Sequence, residues 1–267
     1  MNLRRASAIV LRQFYLLRGS VSRVLPIFAW VGVDMVLWGF MTKYLNSVNA
    51  MGMNFVPSLL GAVLLWDFFT RVMQGVSMAF FEDVWSRNFL NIFASPLRIS
   101  EYVGGLVSTS IITSSFALMF MLTLATFVFG LSFFTYGLMV IPALLVLFLF
   151  GIALGITATG MVLRLGPASE WFVWPIPALM APFAAVYYPL STLPRWMQYV
   201  SHALPPSYVF ENIRAVVSGR QAAWPSLAIG AMLAMMYLLL ASWFFTKMYH
   251  YGVRTGLIAR YSAETVN

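Results

Sequence analysis

The chain has 267 residues, 61% of them hydrophobic and 9% charged, where a soluble domain carries about 25% charged residues; lipid is the solvent that such a surface requires. Its formal net charge of +8 fits arginines that face anionic lipid and fix orientation, rather than a nucleic-acid partner. There is no cysteine, and His202 and His250 are the only histidines, which excludes a disulfide framework and a thiolate metal site and argues against a His-rich metal centre.

In chain order, residues 1–23 come first. Arg4, Arg5, Arg12 and Arg18 gather on one arc of a helical wheel, with Leu3, Ala6, Ile9, Val10, Phe14 and Leu17 opposite. That pattern predicts an amphipathic helix lying in the cytoplasmic interface. A cleaved signal peptide is rejected, because Arg12 interrupts the short apolar run that would form its core. About 20 mostly apolar residues make a spanning helix. Six stretches qualify, near 24–46, 54–81, 101–130, 135–163, 171–190 and 223–247, together forming an all-α transmembrane domain over 24–247.

Asp34 in the first span and Arg71 in the second fall at similar depth, with Asp67 four residues before Arg71. Charges in a bilayer are costly and face protein or water. Two readings stand: the three charges line or gate a pathway, or they form a structural pair, Asp34 with Arg71, that ties the first two spans together. Asp67 lies on the same face as Arg71. The loop at 82–100 follows. Val84, Phe89, Ile92 and Phe93 recur among polar groups at helical spacing until Ser95-Pro96 ends the pattern. It reads either as a helix lying on lipid or as a docking helix for a cytoplasmic partner. In the fourth span, Gly151-x-x-x-Gly155 signals close helix packing. Pro175, Pro177 and Pro182 break the fifth span, and Pro189 closes it. The long loop at 191–222 carries Trp196, Met197, Tyr199 and Val200, and reads as short helices that re-enter the outer leaflet. Residues 248–267 form a tail.

With six crossings, eleven lysines and arginines fall on the side of both termini and four on the other. The termini are therefore expected in the cytoplasm. The two lysines, Lys43 and Lys247, each follow threonine, not glycine. A phosphate-binding loop needs Gly-x-x-x-x-Gly-Lys-Ser/Thr, so ATP hydrolysis of that kind would belong to another chain.

Three segments carry a resemblance. The run at residues 90–107 resembles the loop after the second span of type-2 ABC exporter permeases, with Glu82, Pro96, Leu97, Glu101 and Gly104 matching that family's pattern. In residues 187–214, Leu193, Pro194, Trp196, Pro205, Tyr208 and Arg214 fit that family's segment between its last two spans, and "YGVRTGLIAR" is similar to its cytoplasmic end. Arg87-Asn88-Phe89 stands where many members have Gly-Thr-Leu. The resemblance implies a non-catalytic permease of a bacterial inner membrane, paired with a second permease chain and with two copies of an ABC ATPase that binds Mg-ATP. It implies a coupling helix made of Glu82, Asp83, Trp85, Arg87, Asn88, Phe89 and Asn91, and an external gate containing Pro194, Trp196, Pro205, Tyr208 and Arg214. It implies no cofactor in this chain. The substrate, whether lipid-linked, glycan, drug-like or peptide, stays open. The rival readings are an ion- or proton-coupled transporter or channel using Asp34, Asp67 and Arg71, and an intramembrane enzyme.

Overall fold

The computed structural model describes residues 3–48, 55–86, 91–92 and 95–257. Among these residues all regular structure is helical, and there is no strand. Helix α1 is Leu3–Arg18 and α2 is Val21–Val48. A π turn, Val56–Leu60, opens α3, Gly61–Trp85. Helix α4 is Ile99–Phe129. A 3-10 turn at Phe133–Met139 leads into α5, Val140–Leu165. The short α6, Ile176–Met180, follows, then α7, Arg195–His202, α8, Pro205–Val217, and α9, Trp224–Arg254.

Among the described residues, four helical stretches are long and apolar enough to cross a membrane: Val56–Trp85, Ile99–Phe129, Phe133–Leu165 and Trp224–Arg254. One of the six expected spans differs in form. Helix α2, at 28 residues, covers the first expected span as one continuous helix. Residues 171–190 are not one helix. They form the end of a 3-10 turn, the five-residue α6 and a series of turns, because each proline removes a backbone donor and clashes with the preceding turn.

The helices run between two ends. At the arginine-rich end, α1 meets the last turn of α3 and the start of α4, and Arg164 closes α5. At the opposite end, α2 meets the close of α4: a Cβ on Gly39 would stand 2.2 Å from the Phe129 ring. There Tyr136 donates to the Pro57 carbonyl at 2.6 Å. Helix α9 lies beside α5 in the same direction, Phe150 meeting Tyr237 with ring centroids 5.2 Å apart and Gly160 meeting Phe244.

Helix α3 is the centre of the core. Its Leu64, Phe69, Val72 and Met73 are fully buried. Gly151 and Gly155 bring α5 against it. A Cβ on Gly155 would lie 2.7 Å from Val76 Cβ and 2.8 Å from the Met73 carbonyl oxygen. The Gly-x-x-x-Gly pair thus does what small residues do between membrane helices, letting backbones approach. On the other side of α3, Ser110 of α4 donates to the Val72 carbonyl at 2.8 Å.

Candidate functional site

The most distinctive chemistry lies midway along α3. Asp67, Thr70, Arg71 and Gln74 recur at helical spacing and form one half-buried polar stripe. Sequence reading found Asp67 and Arg71 and passed over Thr70 and Gln74, though their offsets of three and seven residues place them on the same face. Arg71 Nε lies 3.6 Å from Asp67 Oδ2, with the two side chains 15% and 12% exposed. Both atoms are buried and neither makes a hydrogen bond. Thr70 donates to the Trp66 carbonyl at 3.0 Å.

The ion pair therefore forms within α3. Asp34 of α2 lies within electrostatic reach of Arg71 but forms no ion pair with it among the described residues. This corrects the expected Asp34–Arg71 partnership: the i,i+4 geometry offers Arg71 a carboxylate on its own helix. Tyr187 comes from the proline-broken stretch. It stacks on Trp38 of α2, with centroids 5.1 Å apart and planes at 13°, and lies within electrostatic reach of Asp34 and Asp67. Two charged helices and the broken stretch thus converge at one place inside the apolar zone.

A second polar cluster sits at the arginine-rich end. Asp83 is fully buried. It accepts from Arg12 and, through Oδ2, from the Tyr102 hydroxyl at 2.7 Å. Burial works to lower the Arg12 pKa, but the hydrogen bond and the charge of Asp83 outweigh it and hold Arg12 above its ordinary value. Beside them, Arg5 donates to the Pro96 carbonyl and stands 3.6 Å from buried Glu101. Glu101 in turn accepts from the Arg98 backbone at 3.0 Å, capping α4.

This arrangement revises two expectations. Arg5 and Arg12 face protein acids, while Leu11, Phe14 and Tyr15 are exposed. Glu82, Asp83 and Trp85 form the last turn of α3, not part of a separate loop helix, since the backbone simply continues: Ser86 N donates to Glu82 O at 3.0 Å. Asp83, expected among partner-facing residues, is sealed inside. Trp85 is half exposed and donates from Nε1 to Glu170 Oε2 at 2.8 Å. Asn91 is exposed and helical beside buried Ile92. Arg87, Asn88 and Phe89 lie outside the described residues.

At the opposite end the expected gate residues scaffold the chain. Arg214 donates to Glu211 at 2.7 Å and to the Ala185 carbonyl at 2.8 Å, and Glu211 also accepts from Leu190 N at 2.8 Å. Ala185 has φ +52°, a strained left-handed conformation for alanine that the Arg214 contact holds. The Tyr208 hydroxyl donates to the His202 carbonyl at 2.8 Å. Pro194 and Pro205 stand at the starts of α7 and α8, where a missing N–H costs nothing. Trp196 is exposed, its ring edge toward Phe183. Glu211 was missed in the sequence, although its i,i+3 spacing to Arg214 signals a pair. Among the described residues no group of acids and histidines could hold a metal ion.

Compared with known proteins, the chain matches no protein-family model and no curated protein sequence.

Proposed function

We propose that this chain is the permease subunit of an ATP-driven exporter of the type-2 ABC class, working as a pair of permease chains driven by two ATPase chains that bind Mg-ATP. The observation that carries the reading is the convergence of a polar stripe and a proline-broken stretch in mid-bilayer. Polar side chains and irregular backbone are tolerated at that depth where they face protein or a water-filled path. Asp67 Oδ2 and Arg71 Nε, buried without hydrogen bonds, keep capacity for a polar cargo.

The path of the chain supports six crossings. It passes between the two ends in α2, α3, α4, α5, the stretch from the 3-10 turn Pro167–Phe172 to Arg214-bound Ala185, and α9. Helix α2 turns Trp30, Val33, Leu37 and Phe40 outward, as a lipid-facing helix would. Both termini then share the arginine-rich side, which the positive-inside rule puts in the cytoplasm of a bacterial inner membrane. In this reading α1 lies in the interface, α7 and α8 re-enter the outer leaflet around Trp196, and Glu82, Trp85 and the residues after them, Arg87 to Asn91, receive the ATPase. The mechanism is gated access: ATP closes the partner dimer, the end of α3 carries the motion, and α2, α3 and the broken stretch open a path.

The buried Asp67 carboxylate, whose Oδ2 makes no hydrogen bond, also favours one rival, a proton-coupled transporter. Reconstitution of the lone chain into liposomes holding a pH-sensitive dye separates the two. Under an imposed pH gradient the exporter reading expects dye response equal to that of Asp67→Asn. Proton flux abolished by Asp67→Asn would favour the rival.

A further inference from the structure

Helices α1 and α4 touch where Ile9 closes on Gly105; a Cβ there would stand 2.6 Å from Ile9 Cβ. Beyond that crossing they diverge and leave an open wedge of about 590 Å³, within the range of small-ligand sites. Its α1 wall includes Val10, Leu11 and Phe14, and its α4 wall includes Ser108, Thr109 and Ile112. The α4 wall lies roughly 5–12 Å past the crossing, at about 1.5 Å per residue.

We propose that this wedge binds one acyl chain of an anionic phospholipid, with the phosphate held by arginine of α1. Three observations lead there. First, the wedge offers no free donor to water: the hydroxyls of Ser108, Thr109 and Thr113 donate to the carbonyls of Gly104, Gly105 and Thr109 at 2.8, 2.9 and 3.1 Å. What remains is hydrocarbon surface, with Leu11, Phe14 and Ile112 each 45% to 57% exposed. Second, the same helix carries the charge. Arg5 and Arg12 are committed to Glu101 and Asp83, whereas Arg18, in the last turn of α1, is exposed. Arginine beside a hydrocarbon slot is complementary to an anionic headgroup above an acyl chain. Third, the wedge lies along α4, a helix long and apolar enough to cross a membrane, so lipid hydrocarbon is at hand to fill it. The proposal rests on the membrane assignment of α4 and not on the exporter reading.

The test is native mass spectrometry of the full chain, purified in mild detergent from membranes containing phosphatidylglycerol and phosphatidylethanolamine. The wild type should retain one phosphatidylglycerol per chain in preference to phosphatidylethanolamine. Arg18→Gln, an exposed change that leaves the core untouched, should lower that preference about fivefold, the factor one arginine carries at an anionic surface. Val10→Trp and Ser108→Trp fill the wedge and should remove the retained lipid. Equal retention of both lipids by the wild type would overturn the proposal even if the tryptophan variants fail to fold. Unchanged retention in folded tryptophan variants would also overturn it. So would loss of a chain dimer at constant lipid count, which would assign the wedge to a second copy.

Discussion

At the scale of single residues, the buried Asp83 carries the strongest expectation. It neutralises Arg12 and accepts from Tyr102, so truncation leaves a cation and a hydroxyl without their partner. Removing one member of a buried pair costs about 3–5 kcal/mol. Asp83→Ala should therefore lower the thermal unfolding temperature in detergent sharply, and Arg12→Met with Asp83→Leu should recover much of the loss. Strictly additive losses would contradict the pairing. Midway along α3, Asp67 and Arg71 should couple by roughly 0.5–3 kcal/mol in a double-mutant cycle, and Asp34 with Arg71 by less. A larger Asp34 term would reverse the placement of the ion pair. Part of this was legible: Asp67 and Arg71 stand four apart on a periodic helix. Arg12 and Asp83 are 71 residues apart, and nothing in local spacing joins them. A single sequence shows a buried acid and a solvent-facing acid with the same letter, which is why Asp83 was placed on the outside.

At the scale of elements, close packing between α3 and α5 depends on glycine. Gly155→Ile would press a branched side chain into Val76 and the Met73 carbonyl, costing about 1–3 kcal/mol by overpacking, read as a lower melting temperature. Ala185→Gly should act the other way. Its left-handed backbone costs an L-residue roughly 1–2 kcal/mol, so glycine there should leave stability unchanged or raised; a clear loss would show that the alanine methyl matters more than the strain. The packing role of Gly151 and Gly155 and the broken fifth element were both readable, because glycine spacing and proline act locally. The continuation of α3 to Trp85 was not. Glu82 and Asp83 look like the polar start of a loop until the tertiary contacts of Asp83 with α1 and α4 supply the partners that let the helix run on.

At the scale of the molecule, the six crossings proposed above predict a definite topology. The chain has no cysteine, so single cysteines can be added and labelled with an impermeant maleimide. Gly19 and Gly256 replaced by cysteine should label from the cytoplasmic side, and Ser132 and Gly219 from the outside. Labelling of Gly19 and Ser132 from the same side would remove α2 as a crossing. The membrane class was legible because composition is a property of the whole chain. The convergence of Trp38, Asp67, Arg71 and Tyr187 was not, since it depends on how α2 and the broken stretch pack beside α3. The proposed function has a separate ATPase driving this chain. It is tested most directly by the mass and activity of the assembly extracted from its own membranes through a tag on this chain. The account predicts two copies of this chain with two copies of an ATPase carrying a Gly-x-x-x-x-Gly-Lys-Ser/Thr loop, and ATP hydrolysis that disappears when the lysine of that loop is changed. A chain that elutes without any such ATPase, or that hydrolyses ATP alone, would contradict it.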